Sequence, residues 1–268
     1  MKILPDIGLS AVQSVYAGPE GDLWELVMGQ QIHVGGFASS LELAEKAGIG
    51  AGGRGVDLCC CNGAGMRFLI RFRNVAHMTG VDATAKMLAR GRERCAAEGM
   101  AGRTAFVEAD VCRTGLPDGS MDFVWGEDAW CYVVDKPALV REAARLVRPG
   151  GTVAFTDWVE GPGGLADDEA KRFMGFMKFP TLAAPDDYRR WLEASGMVVE
   201  RAEDTGRFAP CVDLYIRMLT EQLMSDALRI IGHDMDLMQA LGGEMAFLRQ
   251  LVHAGKVIQG RFIARRPS

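Results

Sequence analysis

The sequence predicts an α/β fold, a mainly parallel sheet with helices on both faces. Three observations carry that expectation. Apolar runs of strand length alternate with amphipathic, helix-length stretches between residues 56 and 157, and such alternation builds a parallel sheet because each helix carries the chain back to begin the next strand. The first run, Val56-Asp57-Leu58-Cys59-Cys60-Cys61, passes into a helix through the small residues Asn62-Gly63-Ala64-Gly65. The second closes on Thr79-Gly80-Val81-Asp82, an acid at a strand end.

Taken in order, residues 1–50 show no strand pattern and read as a helical cap, with a turn of helix at 22–28 and a helix at 40–47 capped by Ser39 or Ser40. A catalytic domain is expected over 51–268. Its pattern is strand 56–61, helix 64–73, strand 76–81, helix 84–98, strand 104–108, strand 121–126, helix 135–147 and strand 151–157. Asp118-Gly119-Ser120 turns the chain into the fourth strand, and Arg148-Pro149-Gly150-Gly151 stops the helix before the fifth. Gly161-Pro162-Gly163-Gly164 opens an insertion over about 159–190, whose Phe173, Met174, Phe176, Met177 and Phe179 suit a helix packed over the sheet edge. A helix at 186–194, a strand at 197–203, C-terminal helices within about 209–251 and a final strand at 256–265 complete the seven strands.

Bulk composition narrows the function classes. The 268 residues are 49% hydrophobic and 24% charged, enough for one substantial core, and the net charge of −5 leaves no positive field for a nucleic-acid partner. No apolar run approaches the roughly 20 residues that cross a bilayer, and the first residues lack a signal-peptide core, so a cytoplasmic protein without membrane attachment is expected. Seven cysteines, three of them consecutive, read as reduced thiols. No Cys-x-x-Cys pair exists to hold an ion, and no metal is expected. The expected partners are a small molecule and, for assembly, a second copy of the chain as a homodimer.

A small-residue turn at a helix N-terminus, followed about 20 residues later by a strand-end acid, is a device for holding adenosine, with the acid on two ribose hydroxyls. The dinucleotide version requires Gly-x-Gly-x-x-Gly, and here that frame reads Cys59, Cys61, Ala64. The frame Asp57-x-Cys59-x-Cys61-x-Gly63 instead resembles the Asp-x-Gly-x-Gly-x-Gly motif of class I S-adenosylmethionine (SAM) methyltransferases, with cysteine at two glycine positions. Arg148 to Asp157 resembles that family's Pro-Gly-Gly turn and fifth strand, and Leu116 to Val124 the approach to its fourth. Trp24 to Gly29, Gln31 to Gly35 and Trp125 to Trp130 are similar to the sarcosine/dimethylglycine N-methyltransferases and related small-molecule enzymes. The resemblance implies a Rossmann-like seven-stranded fold and methyl transfer from SAM to a small-molecule acceptor, first of all an amine nitrogen, with S-adenosylhomocysteine (SAH) as product. C- or O-methylation and a SAM-binding partner protein without turnover are the alternatives.

Residue by residue, the resemblance places Asp57 behind the methionine moiety, with Cys59, Cys61 and Gly63 against it through backbone. It places Asp82 and Ala83 at the ribose, Met87 beside adenine, Asp110 at the adenine amino group, the Val111 N–H at the ring and Glu127 on the cofactor. Tyr16 and Trp24, in the cap, are assigned to the sulfonium through cation–π attraction. His33 and Asp128 are the catalytic candidates, with Asp157 a further acid. Trp130 and Trp158 are candidates for the acceptor wall, and Arg172, Arg189, Arg190 and Arg217 for anchoring an anionic acceptor. Side chains on Cys59 and Cys61 are expected to displace the turn or weaken SAM binding.

Overall fold

A computed structural model describes residues 1–268. Its strands are β1 (Lys2–Ile3), β2 (Arg54–Leu58), β3 (His77–Asp82), β4 (Thr104–Glu108), β5 (Met121–Glu127), β6 (Val147–Glu160), β7 (Thr181–Leu182), β8 (Val198–Asp204) and β9 (Val257–Arg265). The helices are α1 (Leu9–Ala17), α2 (Pro19–Met28), α3 (Gly36–Lys46), α4 (Ala64–Arg73), α5 (Ala85–Ala97), α6 (Lys136–Leu146), α7 (Asp167–Met177), α8 (Pro185–Ala194), α9 (Phe208–Met218), α10 (Met224–Ile230) and α11 (Met235–His253). One sheet holds seven strands in the order β4-β3-β2-β5-β6-β9-β8. Pairing is parallel from β4 to β6, whereas β9 runs antiparallel to both its neighbours. The order reverses at β2, which lies between β3 and β5, and that reversal opens a crevice beyond the carboxyl ends of the strands.

Burial explains the layers. One sheet face packs Val124, Phe155 and Phe262 under Leu139 and Val140 of α6 and Tyr188 and Leu192 of α8. The other packs Phe123, Trp125 and Ile263 against Leu43 of α3 and Met66, Leu69 and Leu88 of α4 and α5. A third cluster, built from Trp158, Phe173, Phe179, Phe208 and Leu248, joins α7, α9 and α11 to the outer end of β6. Asp135 caps α6 by accepting the Ala138 N–H at 2.9 Å, and Arg71 and Arg73 in the last turn of α4 complement its dipole. No helix is long and apolar enough to cross a membrane.

Three local expectations are corrected. The first strand ends at Leu58 rather than Cys61, and Cys59 and Cys61 adopt φ of 66° and 48°, matching Gly63 at 71°. The Cys59 and Cys60 N–H groups both donate to Val81 O, so the cysteines form a tight turn instead of extending the sheet. The first of the C-terminal helices expected within about 209–251 begins at Phe208 and is interrupted by a π-turn at Leu219–Leu223. The N-terminal residues form three helices, and β1 pairs with β7 of the insertion.

Candidate functional site

A cavity of about 340 Å³ opens at the reversal point. Its floor is made by the segments leaving four neighbouring strands: Asp57 and Cys59 to Asn62 after β2, Asp82 to Thr84 after β3, Asp110 to Cys112 after β4, and Glu127 to Ala129 after β5. Leu9, Val12 and Tyr16 of α1, residues 30–33, and Tyr132 to Asp135 enclose the opposite side.

At one end the acids are fixed by nearby backbone. Asp82 accepts the Cys61 N–H at 2.9 Å and the Thr84 N–H at 2.8 Å, and Asp110 accepts the Cys112 N–H at 2.8 Å. Burial raises the pKa of Asp82 while these N–H groups pull it back. The backbone approaches closely here: a β-carbon on Gly65 would lie 3.0 Å from Asp57 Oδ2 and 3.1 Å from Trp125 Nε1.

A buried polar cluster lies at the other end of the floor. Glu127 accepts the Trp125 indole N–H at 3.1 Å and the Ser40 hydroxyl at 2.9 Å, with His33 Nε2 3.4 Å away. No lysine or arginine neutralises Glu127, and burial pushes its pKa up to about 8. Burial, then Glu127 and Asp82, raise Asp57 as well. His33 Nε2 lies 3.1 Å from Ser40 Oγ, and burial lowers the imidazole pKa, so it is neutral at pH 7. Asp128, at φ 50°, accepts the Val34 N–H and the Gln259 side-chain N–H, each at 2.8 Å, and burial brings it to about 6. Its carboxylate locks the cap segment onto β9.

The cap is tied down at three further points. The Tyr16 and Tyr132 hydroxyls lie 2.9 Å apart with their rings edge to face, and Gln13 donates to Ala83 O at 2.7 Å. Arg67 joins the β2–α4 turn to the cap by donating to Asn62 O and Gln30 Oε1. Sequence reasoning missed Gln13, Ser40, Asn62, Trp125 and Tyr132. Only Asn62 and Trp125 sit inside motifs that marked the region.

Tyr16, His33, Asp57, Cys59, Cys61, Asp82, Ala83, Met87, Asp110, Val111, Glu127 and Asp128 all line the cavity. The other sequence-derived candidates do not. Trp130 is fully buried and stacks on Phe155 at 3.9 Å, and Trp158 packs between Phe173 and Phe208, so both are core residues rather than acceptor wall. Trp24 packs into the third cluster, and Gly63 is the N-cap of α4 under the Phe106 ring. Asp157 accepts the Cys131 N–H and the Tyr188 hydroxyl inside the core. Arg172, Arg189 and Arg190 pair with Glu244, Asp186 and Asp187, and with Arg217 they lie outside the cavity lining. Burial pushes Cys61 and Cys112 up to about 12 and raises Cys59 well above the usual thiol value, so these cavity thiols stay protonated at neutral pH. No group of three or more His, Cys, Asp or Glu side chains is placed to hold a metal ion.

The floor fits SAM and not a dinucleotide. Six carboxyl groups line the cavity with no lysine or arginine among them, a setting that repels pyrophosphate and suits a sulfonium and an ammonium. Comparisons agree. A family described as "Methyltransferase domain" matches residues 56–155. The 27-O-demethylrifamycin SV methyltransferase of Amycolatopsis mediterranei is 30% identical over 202 residues, 70% of this chain and 74% of that protein. The dimethylglycine N-methyltransferase of Parasynechococcus marenigrum is 28% identical over 191 residues, 64% of this chain and 65% of that protein. Among solved structures, Haemonchus contortus phosphoethanolamine N-methyltransferase 2, with phosphomonomethylethanolamine and SAH, superposes with a TM-score of 0.85 at 20% identity, over 96% of this chain and 59% of that one. The [4+2]-cyclase SpnF superposes with a TM-score of 0.78 at 18% identity, over 99% of both chains. At such identities the two structures establish the fold. The strand-end acids, the motif turn and the shared sequence together place this chain in the class I SAM-dependent methyltransferase family.

Proposed function

We propose that the chain transfers the SAM methyl group to a nucleophilic nitrogen or oxygen of a small molecule. The observation that carries this reading is the cavity itself, which combines backbone-fixed acids at one end with an uncompensated carboxyl cluster at the other. In this assignment Asp82 takes the ribose hydroxyls, Asp110 and the Val111 N–H take adenine beside Met87, and Asp57 and Glu127 face the methionine ammonium. Bound SAM supplies a methyl group already activated by the sulfonium charge. The protein's share is to orient the acceptor, exclude water and dispose of the acceptor's proton. His33, buried beside Ser40 and Glu127, is assigned to relay the acceptor's proton into the cluster, and Asp128 positions the segment that carries it.

The motifs around Trp24 and Trp125 favour an amine acceptor. Oxygen is the second reading, favoured by the relative named for a 27-O-demethylated rifamycin, which shares about three-quarters of its length with this chain. Calorimetric titration with SAM, SAH and NAD, beside Asp82→Ala, tests the cofactor assignment. Micromolar binding of SAM and SAH alone, lost in the variant, is expected. NAD binding, or SAM binding that survives the substitution, would overturn the assignment.

A further inference from the structure

We infer that the methyl acceptor carries no phosphate or carboxylate and presents an apolar body to the mouth of the cavity. This inference rests on the methyltransferase reading above and narrows its substrate class. Charge is the first argument. An anion entering the cavity meets carboxyl groups on every floor segment and no lysine or arginine in the lining. The nearby cations are committed elsewhere. Lys136 is fully buried and donates to the Cys131, Val133 and Thr181 carbonyls, Arg67 is bound to Asn62 and Glu98, and Arg90 pairs with Asp22 and Glu25. SAM brings an ammonium beside its own carboxylate, whereas an acceptor anion buried there would find no basic side chain to pair with, which is strongly unfavourable. A metal-neutralised diphosphate has no seat either, because no three ligating side chains converge.

The rim is the second argument. Leu9 of α1 is 47% exposed and Val134 is 53% exposed, and both border the opening. Val12, Ile32 and Val133 continue the apolar surface inward. Two exposed aliphatic side chains at one mouth, backed by the buried Val12 and the half-buried Ile32 and Val133, suit a ligand that covers them with its own apolar surface. The Tyr16 and Tyr132 hydroxyls are the polar groups that such a ligand passes.

Displacement of the neutral dye Nile red from SAH-loaded protein tests the inference, with SAH binding first verified by calorimetry. The competitors are a phenylalkyl alcohol and phenylalkylamine series, the matched phenylalkyl carboxylates, and phosphoethanolamine. The alcohols and amines should displace the dye, gaining roughly fourfold in affinity per added methylene, while carboxylates of the same length bind at least about tenfold more weakly. Val134→Lys, at an exposed position, should weaken the alcohols and narrow that gap. Carboxylates or phosphoethanolamine competing as well as the alcohols would overturn the inference, and so would failure of the dye or of every apolar competitor to bind. Failure of SAH to bind would instead strike the cofactor assignment.

Discussion

The two halves of the cavity are built differently. At the adenosine half, each acid is held by backbone N–H groups close by: Asp110 by its own loop, Asp82 by Thr84 and by the adjacent β2–α4 turn. At the other end and beneath the mouth, no single segment suffices. Tyr16 meets Tyr132 across 116 residues, Val34 and Gln259 converge on Asp128, and Ser40 reaches Glu127. The contrast separates an end set by strand ends and turns from an end assembled only when cap, β5 and β9 are all in place. The first can stay constant within a fold while the second varies, which is how one scaffold serves different acceptors.

The largest break in this comparison should come from Asp82→Ala. It removes the proposed ribose acceptor and a tie to the turn, and SAM affinity measured by calorimetry should fall at least about 100-fold, as expected for a buried charge-assisted pair. Retained affinity would mean that the adenosine half is not organised by its acid.

Glu127→Gln probes the other half through pH. The folded protein holds Glu127 near 8 against an ordinary value of 4.5, so between those values the unfolded chain ionises first. The stability tied to this group is therefore full below about pH 4.5 and is lost as pH rises through about 8. Denaturant unfolding should show wild type losing stability relative to E127Q from pH 5 to pH 8; parallel profiles would refute the uncompensated burial.

A smaller effect is expected from Tyr16→Phe. Losing one hydroxyl partner costs about 1 kcal/mol. The substitution should lower kcat/KM by about fivefold at unchanged SAM affinity, and an equal loss in SAM binding would erase the division between the halves. The smallest belongs to Cys61→Gly. Left-handed backbone costs a non-glycine residue about 1–2 kcal/mol, and glycine gives back about 0.5–1 in unfolded-state entropy. A rise in melting temperature of about 1–3 °C is expected, and a fall would show that the thiol packs better than the turn strains.

The same division governs what could be read in the sequence. Strand–helix alternation, Asp82 and Asp110 were legible because their geometry depends on spacing within one or two loops. Trp130 and Trp158 misled because an aromatic residue after a strand looks alike whether it faces a ligand or a second layer, and α7, α8 and α9 cover them. The cysteine run looked like a strand because its side chains are apolar. Its conformation was nevertheless implicit in the motif: a frame that carries glycine at positions 59, 61 and 63 marks left-handed backbone, and the cysteines keep it. Pairing of β1 with β7 had no signal, since two-residue strands leave none.

The interior position of β9 bears on how the enzyme is made. A chain leaving the ribosome N-terminus first completes β6 at Glu160, yet the strand that seals its open edge starts only at Val257. Through that interval β6 presents unpaired backbone groups, a template for wrong partners. Gln259, which anchors Asp128, and Arg261, which pairs with Glu42 of the cap, arrive on the same late strand. The cap-bound end of the site and the closed sheet edge therefore depend on the same late strand, and a nascent chain stalled before β9 lacks both.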